Sequence, residues 1–553
     1  MAFIKRYLPQ IILLISIVIG GFFRFYKLDW GNGYYFNPDE YHIVGAVERL
    51  IRNGVTSNPG LFSYGSFSVY LIFFTHRFVS FISPKNTIDL FIIGRFLSAL
   101  FSVLTIVNIY LISKILFNKS KIIPYVIALT SAFVPGLVQQ AHFLTPESFM
   151  TFWITLSTYS LIRYLQSGKI TQLIISALSL GIAGACKVSS SASIPFVIAI
   201  LFFLQIKKIG ITKSLRNVVL FLALVFLSFT TAFPYSIVDY ESFKNTTRYE
   251  SSLSFGNTRV FYTRSFKDTK PILFQLLNVY PYTLGMVLTI FSFTGVILII
   301  TNLLKNKDKT DRIFLMPLVI FLSYFLFNSF LFTKWVRFVH QTIPFLVIFS
   351  FYGIYKIQQS SENNKNIKIF ISSLTATLMI LTILWGIMYF SIYKNDDVRT
   401  TASRWVNTNI SSGSIILTET GNTLEVPLAG NYQKIPFDFY NVDNNPLLYQ
   451  NLISNIYKSD YFIIQSRRIF YNHNDKKQFP IVYNFYNCLF SGKLGFKEID
   501  TFTSYPKLKI GKFVYTVNDE GAEETWSVFD HPVIRVYKKI NIYSLNYYDQ
   551  LLR

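Results

Sequence analysis

Charge is scarce in this 553-residue chain: Asp, Glu, Lys and Arg together make up 15% of it, where a soluble domain carries about 25%. With 51% hydrophobic and 18% aromatic residues, that shortage excludes an ordinary soluble protein and points to a polytopic membrane protein. Cysteine is almost missing. Cys186 and Cys488 stand far apart in dissimilar contexts, so neither a zinc-site spacing nor a disulfide framework can be built from them. Acid is in deficit, with 29 Asp and Glu against 52 Lys and Arg and a net charge of +23. No Lys/Arg block or recognition motif accompanies that excess, which argues against a nucleic-acid partner. No small-residue cleavage site follows the apolar N-terminal run, so an uncleaved first span is expected rather than a signal peptide.

What is present in abundance is long apolar runs. A span needs about 20 mostly apolar residues. Eleven segments meet that pattern, at about 8–25, 90–113, 122–140, 147–162, 171–186, 189–206, 217–234, 280–303, 313–332, 338–356 and 369–391. A further stretch, SFSVYLIFFTHRFVSFIS at 66–83, carries His76 and Arg77 in its middle. A central charge costs about 3 kcal/mol on insertion scales, so an interfacial helix is expected there.

Omitting 66–83 makes the connections alternate. One set holds Lys5/Arg6, Lys114/Lys119/Lys121, Arg163/Lys169, Lys207/Lys208/Lys213/Arg216, Lys305/Lys307/Lys309/Arg312 and Lys356/Lys365/Lys368. Short basic loops are the cytoplasmic signature. The other set holds the 26–89 and 235–279 loops, the turns at 141–146, 187–188 and 333–337, and the C-terminal region. From Lys394 onward, 18 Lys/Arg face 16 Asp/Glu, leaving +21 on the first 393 residues. We therefore expect a membrane module over 1–393 and a soluble, extracytoplasmic α/β domain over 394–553. RTTASRWVNTNI then SGSIILTET, and LLYQNLISNIYKS then DYFIIQS, each read as helix followed by strand, and SVFDHPVIRVYKK reads as a closing strand. SSENNKN, Ser360 to Asn366, reads as a polar connector.

Charge parity places four chemically capable stretches on one membrane face. FNPDEYHIVGAVERL presents Asp39 and Glu40 after Pro38. The plain reading is a helix start, with acids favoured by the helix dipole. The chemical reading is a general base able to take a proton from an attacking hydroxyl. HFLTPESFM places Glu147 behind Pro146 in the same way, with His142 nearby. GACKVSS holds Lys187 in a tight turn, where snorkelling competes with phosphate binding. KWVRFVHQTIP holds Arg337 and His340, and arginine suits bidentate phosphate contact.

Together these stretches resemble a known family. FNPDEYHIVGAVERL with FSYGSFSVYL is similar to the first extracytoplasmic loop of the protein-O-mannosyltransferase and lipid A aminoarabinose transferase type, glycosyltransferase family 39 and its GT-C relatives. GRFLSALFSVLTIVNIYLISKILF resembles its next span, QQAHFLTPESFMTFWITLS its second acidic loop, and LGIAGACKVSS and RFVHQTIPFLVIF its lysine turn and late Arg–aromatic–Pro span. The resemblance covers roughly 1–390. Two departures stand out: Glu147 replaces a common Asp, and Tyr64-Gly65-Ser66 replaces a common Tyr-Pro-Pro.

The resemblance implies an integral membrane enzyme moving a hexose from a polyprenyl-phosphate donor to a hydroxyl on a protein, glycan or lipid, with inversion, and the Ile-, Lys-, Asn- and Phe-rich composition points to a prokaryotic source and so to its plasma membrane. Asp39 would be the base, with Glu40 and Glu147 orienting substrate or holding a metal. Lys187 and Arg337 would hold the departing phosphate, and His42, Tyr64, His142 and His340 would be further substrate or metal contacts. Oxygen-rich loops suit Mg or Mn, and His42 or His142 would add affinity for Zn. The rival class is a transporter or flippase, but such proteins place ionisable groups near mid-membrane and show inverted repeats, and neither is visible here. A third class is a membrane-anchored binding module whose tail is the active part.

Overall fold

The computed structural model describes residues 2–84, 89–305, 309–360, 365–420 and 425–553. Lys307 and residues 361–364 of the polar connector lie outside the described residues, as do the side chains of Lys5, Arg6 and Lys309. Two compact units emerge. The first is Met1–Leu28, Asp39–Ser251 and Lys270–Phe390; the second is Asp29–Pro38, Ser252–Thr269 and Ser391–Arg553.

The first unit is helical. Among the described residues, eight helices are long and apolar enough to cross a membrane: Tyr7–Phe25, Leu90–Leu116, Val188–Ile209, Ile211–Ala232, Met286–Lys305, Asp311–Phe330, Val336–Gln359 and Lys365–Lys394. A ninth is a bent pair, Ile123–Ala132 and Pro135–Ala141, meeting at 51°. Pro135 causes the break, since it has no N–H to continue the ladder. Eleven spans were expected. The other two segments are helices that fall short of the apolar or length requirement: Pro146–Ser167 is too polar and Ile170–Cys186 is short. Their polar groups are buried against neighbours. Ser157 donates to the Ser176 carbonyl at 2.9 Å, and Asn108 donates to Thr155 Oγ1 at 3.1 Å. The 66–83 stretch is a helix of only 16 residues, Phe67–Ile82.

The bend has a second consequence. Helix ends leave carbonyls without intrahelical partners, and those carbonyls carry partial negative charge. Arg24, fully buried in the first span, donates to Ala132 O at 3.0 Å and Ser131 O at 3.2 Å. Its Nε donates to Ser102 Oγ at 2.8 Å. A cation thus substitutes for the missing turn.

The second unit is α/β. We number its strands β1 (Ile415–Glu419), β2 (Gln433–Phe437), β3 (Tyr461–Ile464), β4 (Phe496–Phe502), β5 (Lys507–Ile510), β6 (Phe513–Thr516) and β7 (Ile534–Lys539). The main sheet has the order β2-β1-β3-β7-β4, with β1 parallel to β2 and β3, and β7 antiparallel to β3 and β4. Strand alternation sends successive side chains to opposite faces. Ile416, Ile463 and Val536 pack with Val398, Ala402 and Val406 of the helix Val398–Asn409. Leu417, Phe462, Ile464 and Tyr537 pack the other way, with Leu452 and Ile456 of Pro446–Lys458 and Phe485 and Leu489 of Pro480–Phe490. The helix–strand pairs and closing strand read from the sequence are all present.

Two loop segments join this unit through specific contacts. The Arg399 guanidinium lies 4.1 Å from the Phe36 ring centroid. Phe261 packs on Tyr440 with ring centroids 4.0 Å apart, and Ser265 N–H donates to Asn472 Oδ1 at 3.0 Å.

The second unit buries several ionisable groups beside its sheet. Burial lowers the His531 imidazole, but Asp530 at 2.6 Å and Asp519 at 2.9 Å outweigh it and push the ring up to about 10. Glu419, at the end of β1, is pushed up to about 7 by burial, although Tyr486 OH and the Gln465 N–H both donate to it. A carboxyl raised from 4.5 to about 7 favours folding fully below pH 4.5 and loses that contribution as pH rises toward about 7. The change is worth roughly 3 kcal/mol. Glu419→Gln should flatten the pH dependence of thermal unfolding of this unit across that window. An unchanged slope would show that Glu419 does not titrate there.

Candidate active site

Pro38 opens the helix Pro38–Asn53 and places Asp39 and Glu40 in its first turn, where acids are favoured and a missing N–H costs nothing. Consecutive helical residues point about 100° apart, and the two acids part company. Glu40 turns inward. Arg95 Nε and Nη2 donate to its two oxygens at 2.8 and 2.7 Å, and both side chains are wholly buried. The Leu144 N–H donates to the same carboxylate at 2.8 Å, and Arg95 Nη1 donates to Leu28 O at 2.7 Å. Gly94 permits this packing, since an added Cβ would sit 2.3 Å from Leu144 Cδ1. Glu40 thus ties the first loop to the Leu90–Leu116 helix and the 142–145 loop. Arg95 was not singled out in the sequence; its signal was a lone arginine in an otherwise apolar span.

Asp39 turns the other way and pairs with Arg337, each side chain about one-fifth exposed. Arg337 lies in the 3-10 turn Val336–Thr342. Its Nη1 also donates to Tyr64 OH at 3.3 Å, and its guanidinium lies 5.0 Å from the Trp335 ring. Glu147, in the first turn of Pro146–Ser167, accepts from Lys187 Nζ at 2.9 Å. The second Glu147 oxygen is buried without a hydrogen-bond partner among the described residues. The Lys187 ammonium lies 4.8 Å from the Phe338 ring and 5.8 Å from the Tyr64 ring. Tyr64 and the Arg337–Phe338 pair therefore link the Asp39 and Glu147 ion pairs into one cluster.

Gly65 makes that cluster possible. Its N–H donates to Cys186 O at 3.0 Å, and an added Cβ would come 1.8 Å from Ala185 O. The 64–66 segment thus lies directly against the end of the Ile170–Cys186 helix, which delivers Lys187. This accounts physically for a glycine at the position where the resembled family often has proline.

Glu250 is an addition that no motif announced. It is half-buried on the helix Tyr240–Phe255. Burial raises its carboxyl above the usual range, and the charge of Lys187 draws it partly back.

The histidines fall elsewhere. His42 is exposed on its helix. His142 is buried, with Nδ1 2.8 Å from Val138 O and Nε2 3.1 Å from Tyr26 O. His340 is buried, and its Nδ1 has no hydrogen-bond partner among the described residues. Among the described residues no group of three or more His, Cys, Asp or Glu side chains gathers as metal ligands would. Asp39, Glu40 and Glu147 each face a cationic side chain instead. This arrangement does not fit a divalent ion held by these acids.

Comparison with known proteins agrees with this architecture. Residues 56–237 match the family described as dolichyl-phosphate-mannose-protein mannosyltransferase. That segment contains Tyr64, Arg95, Glu147 and Lys187. The structure resembles the oligosaccharyltransferase of Archaeoglobus fulgidus in its apo form, with a TM-score of 0.55 and 12% identity over 88% of this chain and 73% of that one. It also aligns with ArnT from Cupriavidus metallidurans bound to undecaprenyl phosphate, with a TM-score of 0.49 and 11% identity over 82% of this chain and 92% of that one. No curated protein matches the sequence significantly. The chain is a polytopic helical membrane protein of the GT-C fold with an appended α/β unit, and its residues 56–237 are similar to the dolichyl-phosphate-mannose-protein mannosyltransferase family.

Proposed function

We propose that this protein is a membrane glycosyltransferase that moves a hexose from a polyprenyl-phosphate donor to an acceptor hydroxyl on the extracytoplasmic face. The observation that carries the proposal is the cluster of two acid–cation pairs, the partly exposed Asp39–Arg337 and the nearly buried Glu147–Lys187, joined through Tyr64 and Phe338. The family match supports a prenyl-phosphate-linked sugar as donor, and the alternating basic loops support the side. The acceptor is a hydroxyl of a protein, a glycan or another lipid.

The chemistry follows from the placement of charge. A prenyl phosphate remains at the bilayer interface, so its phosphate must be met by cations at helix ends. Arg337 and Lys187 supply two. When the donor enters, its phosphate competes with Asp39 for Arg337, and Asp39 is released toward the acceptor. The acceptor oxygen then bonds to the anomeric carbon while the bond from that carbon to the phosphate oxygen breaks. The acceptor proton passes to Asp39, and polyprenyl phosphate departs with its negative charge stabilised by the two cations. Inversion at carbon follows from a single displacement. Glu147 holds Lys187 in place. Glu40, sealed against Arg95, acts by positioning Asp39 and the 142–145 loop rather than by touching substrate.

These roles separate experimentally in the purified full chain in lipid nanodiscs, supplied with radiolabelled polyprenyl-phosphate mannose. Asp39→Asn should lower transfer by about 100-fold or more while leaving the unfolding temperature unchanged. Full activity in that variant would remove the base assignment. Glu40→Gln should behave oppositely at the level of folding. It strands the buried Arg95 charge, a loss of about 3–5 kcal/mol, and should lower the unfolding temperature markedly. Lys187→Ala and Arg337→Ala should raise the donor KM by about tenfold or more, as expected for a charge-assisted contact. Unchanged donor kinetics in both would defeat the phosphate assignment.

A further inference from the structure

Beyond the main sheet, the second unit carries a separate two-stranded antiparallel hairpin, β5–β6, joined by Gly511 and Lys512. Its register pairs Leu508 with Tyr515 and Ile510 with Phe513. Directly opposed residues share a face, and residues two apart along a strand share it too. Leu508, Ile510, Phe513 and Tyr515 therefore form one entirely apolar face. Ile510 and Phe513 are each 64% exposed and Tyr515 is 55% exposed. Lys507 and Lys509 lie on the other face, and Lys512 stands at the tip. An isolated hairpin of two strands is marginal in water, and a contiguous exposed apolar patch marks a contact site.

Both ends of the hairpin are anchored. On the entry side, Lys507 N–H donates to Ser391 Oγ at 3.1 Å. Ser391 lies in the last turn of the helix Lys365–Lys394, the final candidate span. Tyr505 OH donates to Glu520 at 3.0 Å, and Glu520 accepts from Arg535 of β7 at 2.9 Å. The root of the hairpin is thus tied to the last turn of a helix long and apolar enough to cross a membrane.

We propose that β5–β6 is a membrane-docking hairpin. Its apolar face enters the interface of the bilayer, and Lys507, Lys509 and Lys512 meet anionic headgroups. Two observations select a lipid surface over a protein partner. The root is tied to a span end, so a bilayer lies within reach of the hairpin. The hairpin contains no acid, and its lysines stand on the opposite face and at the tip, from where their long side chains reach anionic headgroups around it. The proposal does not depend on the reaction assigned to the first unit.

A nitroxide label tests it in the full chain. Labels are placed at Phe513→Cys and, as a reference, at the exposed Leu447→Cys on the helix Pro446–Lys458 of the same unit. Both are made in a Cys488→Ala background, with the buried Cys186 retained and the background protein measured as a blank. Collision with oxygen and with a water-soluble nickel chelate is measured by power saturation in nanodiscs containing phosphatidylglycerol, and again in discs of phosphatidylcholine alone. The expected result in anionic discs is a label at 513 open to oxygen and several-fold less open to nickel than the label at 447. In neutral discs nickel access at 513 should rise. A label at 513 as open to nickel as that at 447 overturns the proposal. So does a depth indifferent to lipid charge, and so does closure to both reagents, which would indicate a protein partner.

Discussion

Glu40 and Arg95 are taken wholly out of water, and the site rests on their pairing. Removing two charges from solvent costs several kcal/mol each, and only near-ideal geometry offsets it. Here the geometry is bidentate, and the remaining valences are met by the Leu144 N–H and the Leu28 carbonyl. Such a pair contributes little net stability relative to an apolar alternative. What it contributes is position: one carboxylate ties the first turn of one helix, the side of a second and the loop opening a third. Asp39 and Glu147 occupy their places because their neighbours in sequence are held by this contact.

The same constraint acts on the backbone. Within a bilayer every N–H and C=O needs a partner inside the protein. Pro135 breaks a span and leaves carbonyls open, and Arg24 closes them from another span. Gly65 and Gly94 act through absence, because a single methyl at either place would collide with Ala185 O or Leu144. Ion pairs, a proline break and two glycines are thus parts of one solution, which packs polar loops against helix ends.

The fold was largely legible, because hydropathy and strand alternation are local patterns. Misreadings arose where burial depends on neighbours. Pro146–Ser167 is too polar to meet a span criterion because its serines and threonines face protein rather than lipid. The acid pair was visible, but its division of labour was not. Adjacent helical residues diverge, and nothing local says that Arg95, 55 residues away from Glu40, stands on one side and Arg337 on the other. Glu250 had no motif at all; only its helix brings it under the charge of Lys187.

The sequence by itself determined the membrane class, the helical segments, the α/β character of the tail and the identity of the acids and cations in play. These follow from composition and short-range periodicity, which the chain carries at every point along its length. Tertiary structure alone decided which acid meets which cation, that two loop segments group with the tail, and that β5–β6 stands apart from the main sheet with its apolar face uncovered. Those outcomes depend on contacts between residues remote in sequence, where a shift of one helical position redirects a side chain by about 100°.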